Sequence, residues 1–117
     1  MAEYLLLIVG DDDAYGRLSE EESKAMYAGH FAFMDELGKA GVAIVSSAEL
    51  EPPRTARTIL ADGTVTDGPV PEKKAVIGGF SIIEVASREE ALAWAGKFAK
   101  ACRCAQEIRE IMFDPES

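Results

Sequence analysis

Few of the side chains that usually announce a chemistry are present in this sequence. It holds a single histidine and two cysteines, too few to complete the four-ligand set that zinc prefers. Cys102 and Cys104, one residue apart, make no disulfide scaffold and stand too close for an easy bridge. The reading that follows is a reduced, cytoplasmic protein. Basic residues are also scarce: the net charge is −9 and the longest Lys/Arg run is Lys73-Lys74. Nucleic acid and anionic membrane surfaces repel such a chain, so neither is expected as a partner. No apolar run approaches the roughly 20 residues that a membrane-spanning helix needs. The opening MAEYLLLIVGDDD carries an acidic residue where a signal peptide has a basic one. There is no nucleophile elbow. Gly78-Gly79 leads into a β-branched strand, without the helix and the Lys-Ser/Thr of a phosphate loop. No cofactor and no metal are expected.

What is present is patterned as one domain, which 117 residues suit. A core hiding about two thirds of the unfolded surface needs no staple at this size. Residues 3–9, EYLLLIV, read as a strand covered on both faces. Asp11-Asp12-Asp13 reads as a solvated turn, because consecutive carboxylates point apart instead of converging on a metal. Ser19 and Glu22 form a capping box that opens a helix with Met26, Tyr27, Phe31, Met34 and Leu37 on one face and Gly41 at its exit. GVAIVSSAEL is a second strand, ended by Pro52-Pro53. Residues 55–60 and 64–66 flank Asp62-Gly63, a two-residue hairpin signal. GFSIIEVA, residues 79–86, places Ser81, Ile83 and Val85 on one face and Phe80, Ile82 and Glu84 on the other. Ser87 and Glu90 cap a second helix with a core stripe of Ala91, Ala95, Phe98 and Cys102, and residues 105–113 form the last strand.

This order, β-α-β-hairpin-β-α-β, predicts an α+β domain of the ferredoxin-like split βαβ kind with an inserted hairpin. Two helices cover only one face of such a sheet. The other still carries Leu, Ile and Phe side chains by period-2 alternation, and packing two copies face to face would bury it. A symmetric homodimer is therefore expected.

Candidate site residues are few, and each has a structural alternative. His30 falls on the apolar stripe of the first helix. An imidazole there is either a proton shuttle facing a pocket or a core histidine satisfied by a carbonyl. Asp67 either orients that imidazole or serves the Asp-Gly-Pro turn, where Gly68 supplies unusual dihedrals and Pro69 fixes φ. Glu84 lies among apolar strand neighbours and needs a cationic partner if a second subunit covers it. Arg109 on the last strand is one such partner. Arg57, with Arg54, offers a contact for an anionic ligand.

The run Thr66-Asp67-Gly68-Pro69, followed in register by Glu72, Lys74, Gly78, Gly79, Phe80 and Glu84, resembles the YCII-related family, specifically its DGPF-domain branch. YLLLIVGDD, Gly41-Val42 and Glu107-x-Arg109 are similar as well, so the likeness spans nearly the whole chain. Val70 replaces the family phenylalanine, and Ala75-Val76 a polar pair. The resemblance implies a dimeric α+β barrel. Enzymatic members of the wider family resemble lyases acting on small acidic ring compounds through a histidine and an aspartate, whereas other DGPF-type proteins are similar to partners of sigma factors. It also implies a role for His30, since wider-family members carry a histidine at this distance before the helix-ending glycine. The family's usual aspartate, near the end of the second helix, has no counterpart in KFAKACRC, so Asp67 or Glu84 would have to serve. The expected function is a small-molecule enzyme or enzyme-like binder of an anionic or aromatic metabolite, with His30, Asp67 and Glu84 as its proton-transfer group. The alternative is a non-catalytic regulatory or interaction module.

Overall fold

In the computed structural model, which describes residues 2–10, 19–69 and 76–112, both helices begin at their predicted caps. Helix α1 (Glu20–Lys39) opens on Ser19, whose Oγ accepts from the Glu22 N–H at 3.1 Å while its own N–H donates to Glu22 Oε1 at 3.2 Å. Helix α2 (Arg88–Cys102) opens on Ser87, whose Oγ accepts from the Glu90 N–H at 3.2 Å. There the returning carboxylate reaches one residue further back, to the Ala86 N–H at 3.4 Å. Gly41, with φ of +74°, turns the chain out of α1. Among the described residues no helix is long and apolar enough to cross a membrane.

The strands are β1 (Ala2–Gly10), β2 (Ala43–Glu49), β3 (Arg57–Ile59), β4 (Val65–Asp67), β5 (Val76–Val85) and β6 (Ala105–Glu110). Four of them make a sheet of order β2-β5-β1-β6 in which every neighbouring pair is antiparallel. With two helices this is a mixed α+β fold, compatible with the ferredoxin-like arrangement. β3 and β4 pair only with each other, as the inserted hairpin. Its tip is longer than the two-residue turn expected: the Leu60 N–H donates to the Thr64 carbonyl at 2.7 Å, leaving Ala61-Asp62-Gly63 as the loop. β6 is shorter than the strand expected over 105–113. Asp11–Asp13, Val70, Glu72, Lys74 and the chain beyond Met112 lie outside the described residues.

Tyr4 and Leu6 of β1, with Ser81, Ile83 and Val85 of β5, are buried beneath the helices. Alternation leaves Leu5, Leu7, Phe80 and Ile82 half-buried on the opposite face. The predicted stripe of α2 holds, for Ala91, Ala95, Phe98 and Cys102 are all buried. That of α1 needs correction. Its buried residues are Met26, Phe33 and Leu37, while Tyr27 is 44% and Phe31 68% exposed. Phe33 takes the core place because it stacks on Phe98, ring centroids 4.7 Å apart, and meets the edge of Trp94 at 6.0 Å.

The cysteines need a second correction. Cys102 and Cys104 are disulfide-bonded. Arg103 between them adopts the left-handed conformation, φ 56°, that ends α2. The turn leaves the two Cα atoms 5.4 Å apart, within the span a disulfide bridges. Spacing alone does not show that turn, and with both thiols in the disulfide the cysteines no longer point to a reducing compartment.

Candidate functional site

Small residues on the edge of the sheet make room for a cavity. Ser47 of β2 pairs with Ser81 of β5, so both hydroxyls lie on the helix-covered face, 3.0 Å apart and sharing a hydrogen bond. Beside them β5 bulges. Ile8 pairs with Gly79 and Val9 with Ile77, which leaves Gly78 as the extra residue. The glycine pair serves both the bulge and close backbone packing, since a Cβ on Gly79 would lie 2.8 Å from the Ala48 carbonyl oxygen. With so little side-chain volume on the sheet, the space beneath the first half of α1 stays open as a cavity of about 320 Å³.

His30 lines this cavity. Its position follows from Gly29 just before it, where a Cβ would stand 2.6 Å from the Ala101 carbonyl oxygen. A larger residue would hold the helices apart. The close crossing brings the half-buried His30 ring to 5.4 Å from Phe98 and leaves it 6.0 Å from Phe31. Cys102 and Met26, both buried, form the deep wall.

The rim is polar. Tyr27 on α1 donates its hydroxyl to Glu49 Oε1 of β2 at 3.2 Å, and both residues line the cavity. The Glu49 charge, then partial burial, then the hydrogen bond itself raise the Tyr27 phenol above its ordinary pKa, so it stays protonated near neutrality. The site thus collects an imidazole, a phenol, a carboxylate and two hydroxyls around aromatic and aliphatic walls. Such a set can bind a small ring compound and pass a proton to or from it. Among the described residues no group of three or more His, Cys, Asp or Glu side chains is placed to hold a metal ion.

Of the candidate site residues His30, Asp67, Glu84, Arg57 and Arg109, only His30 lines the cavity. Asp67, on the separate hairpin, has a side chain 93% exposed and forms an ion pair with Arg57, its Oδ1 3.3 Å from the arginine Nε. Arg57 also donates to the Ala56 carbonyl at 2.8 Å. Glu84 pairs across the sheet with Glu3 and Ala43 and faces away from the helices, on the far side of the sheet from His30. Arg109 shares that open face and pairs with Glu107 of its own strand at 3.4 Å. The structure therefore brings neither Asp67 nor Glu84 to the imidazole. It brings Glu49, which the sequence reading did not name, and Tyr27, which it read only as part of the apolar stripe of α1. The available signal was the alternation Ser47-x-Glu49 near the end of β2, which puts a carboxylate on the serine face.

Among curated proteins, none matches the chain. The family model described as YCII-related domain matches residues 2–112. The fold and the near-complete match agree with the motifs quoted above, and the chain belongs to the YCII-related family.

Proposed function

We propose that this chain is a small-molecule enzyme or enzyme-like binding protein in which His30 carries the proton at the cavity beneath α1. The observation that supports this reading is the placement of the single histidine, half-buried in a cavity with a hydrogen-bonding rim. A ligand ring enters between Phe31 and the small-residue floor, and the imidazole takes or returns a proton at its polar edge. Glu49 and Tyr27 hold that edge in place. A lyase-type step on a small ring compound fits these groups. His30 takes a proton from one ring carbon as the bond from the adjacent atom to its leaving group breaks and a double bond forms, and the imidazolium returns that proton to the departing group. The Asp-Gly-Pro and Gly-Gly-Phe runs support a place in the DGPF branch. The apolar open face of the sheet supports a homodimer closed as an α+β barrel, with Glu84 and Arg109 near its seam.

A binding comparison tests the reading. His30→Gln keeps a polar side chain of similar reach and removes the titrating ring. Ring compounds that raise the melting temperature of the wild type are expected to lose that effect in His30→Gln, while the oligomeric state stays the same. Equal responses from both proteins would contradict it. One observation favours the second reading, an interaction module: Ile59 and Val65 face each other across the hairpin at 70% and 60% exposure. That reading predicts that Ile59→Ser abolishes capture of a protein partner and leaves small-molecule responses intact.

A further inference from the structure

The charge of the ligand is legible from the cavity rim. We propose that the cavity selects uncharged or cationic ring compounds over anionic ones, with Glu49 as the residue that sets this preference. This rests on the reading of the cavity as a ligand site and narrows it.

Three observations carry the inference. First, the rim places a carboxylate where a ligand's polar group would dock, and Tyr27 occupies only one of its acceptor positions. A carboxylate has about four lone-pair sites, and among the described residues no other side chain donates to Glu49, so the site offers acceptors to an amine, an amide or a hydroxyl. Second, the floor already satisfies itself. Ser47 and Ser81 bond each other at 3.0 Å, and Ser47 Oγ also reaches the Phe80 carbonyl at 3.3 Å. Beyond the His30 ring, an anionic ligand would have to break those bonds, or the Tyr27–Glu49 bond, to find side-chain donors among the described residues. Third, of the arginines considered in the sequence, Arg54 does not line the cavity, and Arg57 and Arg109 are engaged elsewhere, with Asp67 at 3.3 Å and Glu107 at 3.4 Å. Neither lines the cavity. The upward displacement of the Tyr27 pKa, whose largest cause is Glu49, is consistent with a negative field at the rim. The expectation of an anionic metabolite came from those arginines and from the family likeness, and the rim chemistry points the other way.

The test uses three probes that share a ring and differ in charge: benzylamine, benzyl alcohol and benzoate. Each is titrated into the full chain while the ring resonances of His30 are followed. The variant is Glu49→Gln, whose amide oxygen still accepts from Tyr27, so the rim keeps its bond and loses its charge. Glu89→Gln, exposed on α2 and outside the cavity, is the control. Benzylamine and benzyl alcohol are expected to bind more tightly than benzoate in the wild type and in the control. Glu49→Gln should weaken benzylamine by up to about fivefold, the scale of one exposed charge interaction, and strengthen benzoate, so that the gap between them narrows. Benzoate binding the wild type as tightly as the others, or an unchanged gap in Glu49→Gln, would overturn the charge preference while leaving the site intact. If none of the probes moves the His30 signals, the ligand site itself is refuted and the preference falls with it.

Discussion

The hydroxyl of Tyr27 and the carboxylate of Glu49 meet at 3.2 Å across the gap between α1 and the edge strand β2. That bond ties the rim of the cavity on one side, and Gly29 sets its depth on the other. Between them they fix where His30 stands.

Removing the Glu49 charge should change how Tyr27 titrates. The phenol's pKa is raised in the folded chain, above the value near 10 of an unperturbed tyrosine. A group raised on folding contributes stability that is fully present below its unfolded pKa and is lost as pH rises through its folded value. The wild type should therefore lose stability as pH climbs above about 10, and Glu49→Gln should lose less over that window. Phenolate absorbance, compared between the two proteins, should show one tyrosine ionising at lower pH in the variant. Superimposable alkaline curves would refute the link.

Gly29→Ala should destabilise the fold. The new Cβ would stand 2.6 Å from the Ala101 carbonyl oxygen, and overpacking against backbone costs about 1–3 kcal/mol. The gain in helix propensity from Gly to Ala returns at most about 1 kcal/mol. Steric conflict wins, so denaturant unfolding should show a net loss of up to about 2 kcal/mol, together with altered His30 resonances. A neutral or stabilising result would mean that the helices do not cross this closely.

Ser19→Ala should cost about 1 kcal/mol, since the variant loses the oxygen that accepts from the Glu22 N–H. The cap also holds the Glu22 carboxyl below its ordinary pKa, first through the Ser19 backbone N–H, which the variant keeps, and then through the Ser19 side chain, which it loses. A pKa lowered on folding contributes stability above the unfolded value that disappears as pH falls through the folded one. The penalty of Ser19→Ala, read from urea midpoints, should therefore shrink once Glu22 is protonated in both proteins. A penalty independent of acid would separate the cap from that carboxyl.

Much of the fold could be read from local chemistry. Each N-cap hydroxyl accepts from a backbone N–H three residues on, and Ser81, Ile83 and Val85 alternate cleanly, so neither needed knowledge of distant parts. The core stripe of α1 was harder to read because its apolar residues occupy two adjoining rows. Tyr27 and Phe31 fall on one, and Met26, Phe33 and Leu37 on the other. Only the aromatic stack of Phe33 on Phe98 decides between them, and that is a contact between helices. The site was half legible for a similar reason. His30 stood out as the one imidazole, but its neighbours depend on how far α1 stands above β2, which small residues on two other elements determine. The disulfide depended on a left-handed turn at Arg103, a conformation that non-glycine residues seldom adopt.

The open face of the sheet should respond to charge. Ile82 sits at its centre, paired with Leu5 of β1 and Ser46 of β2. If that face closes the homodimer, Ile82→Glu should shift sedimentation from dimer to monomer with little change in helical circular dichroism, since the opposite, helix-covered face is untouched. Wild-type sedimentation of the variant would place the dimer interface elsewhere, and a monomeric wild type would remove the barrel.

The most direct test of the central claim, that His30 works in a ligand cavity with Glu49 and not with Asp67, is nuclear magnetic resonance of its ring. One histidine gives one set of ring signals. These are expected to move on titration with benzyl alcohol and in Glu49→Gln, yet to remain unchanged in Asp67→Asn, whose side chain is exposed and paired with Arg57. Signals that ignore the ligand, or that move in Asp67→Asn and not in Glu49→Gln, would contradict it.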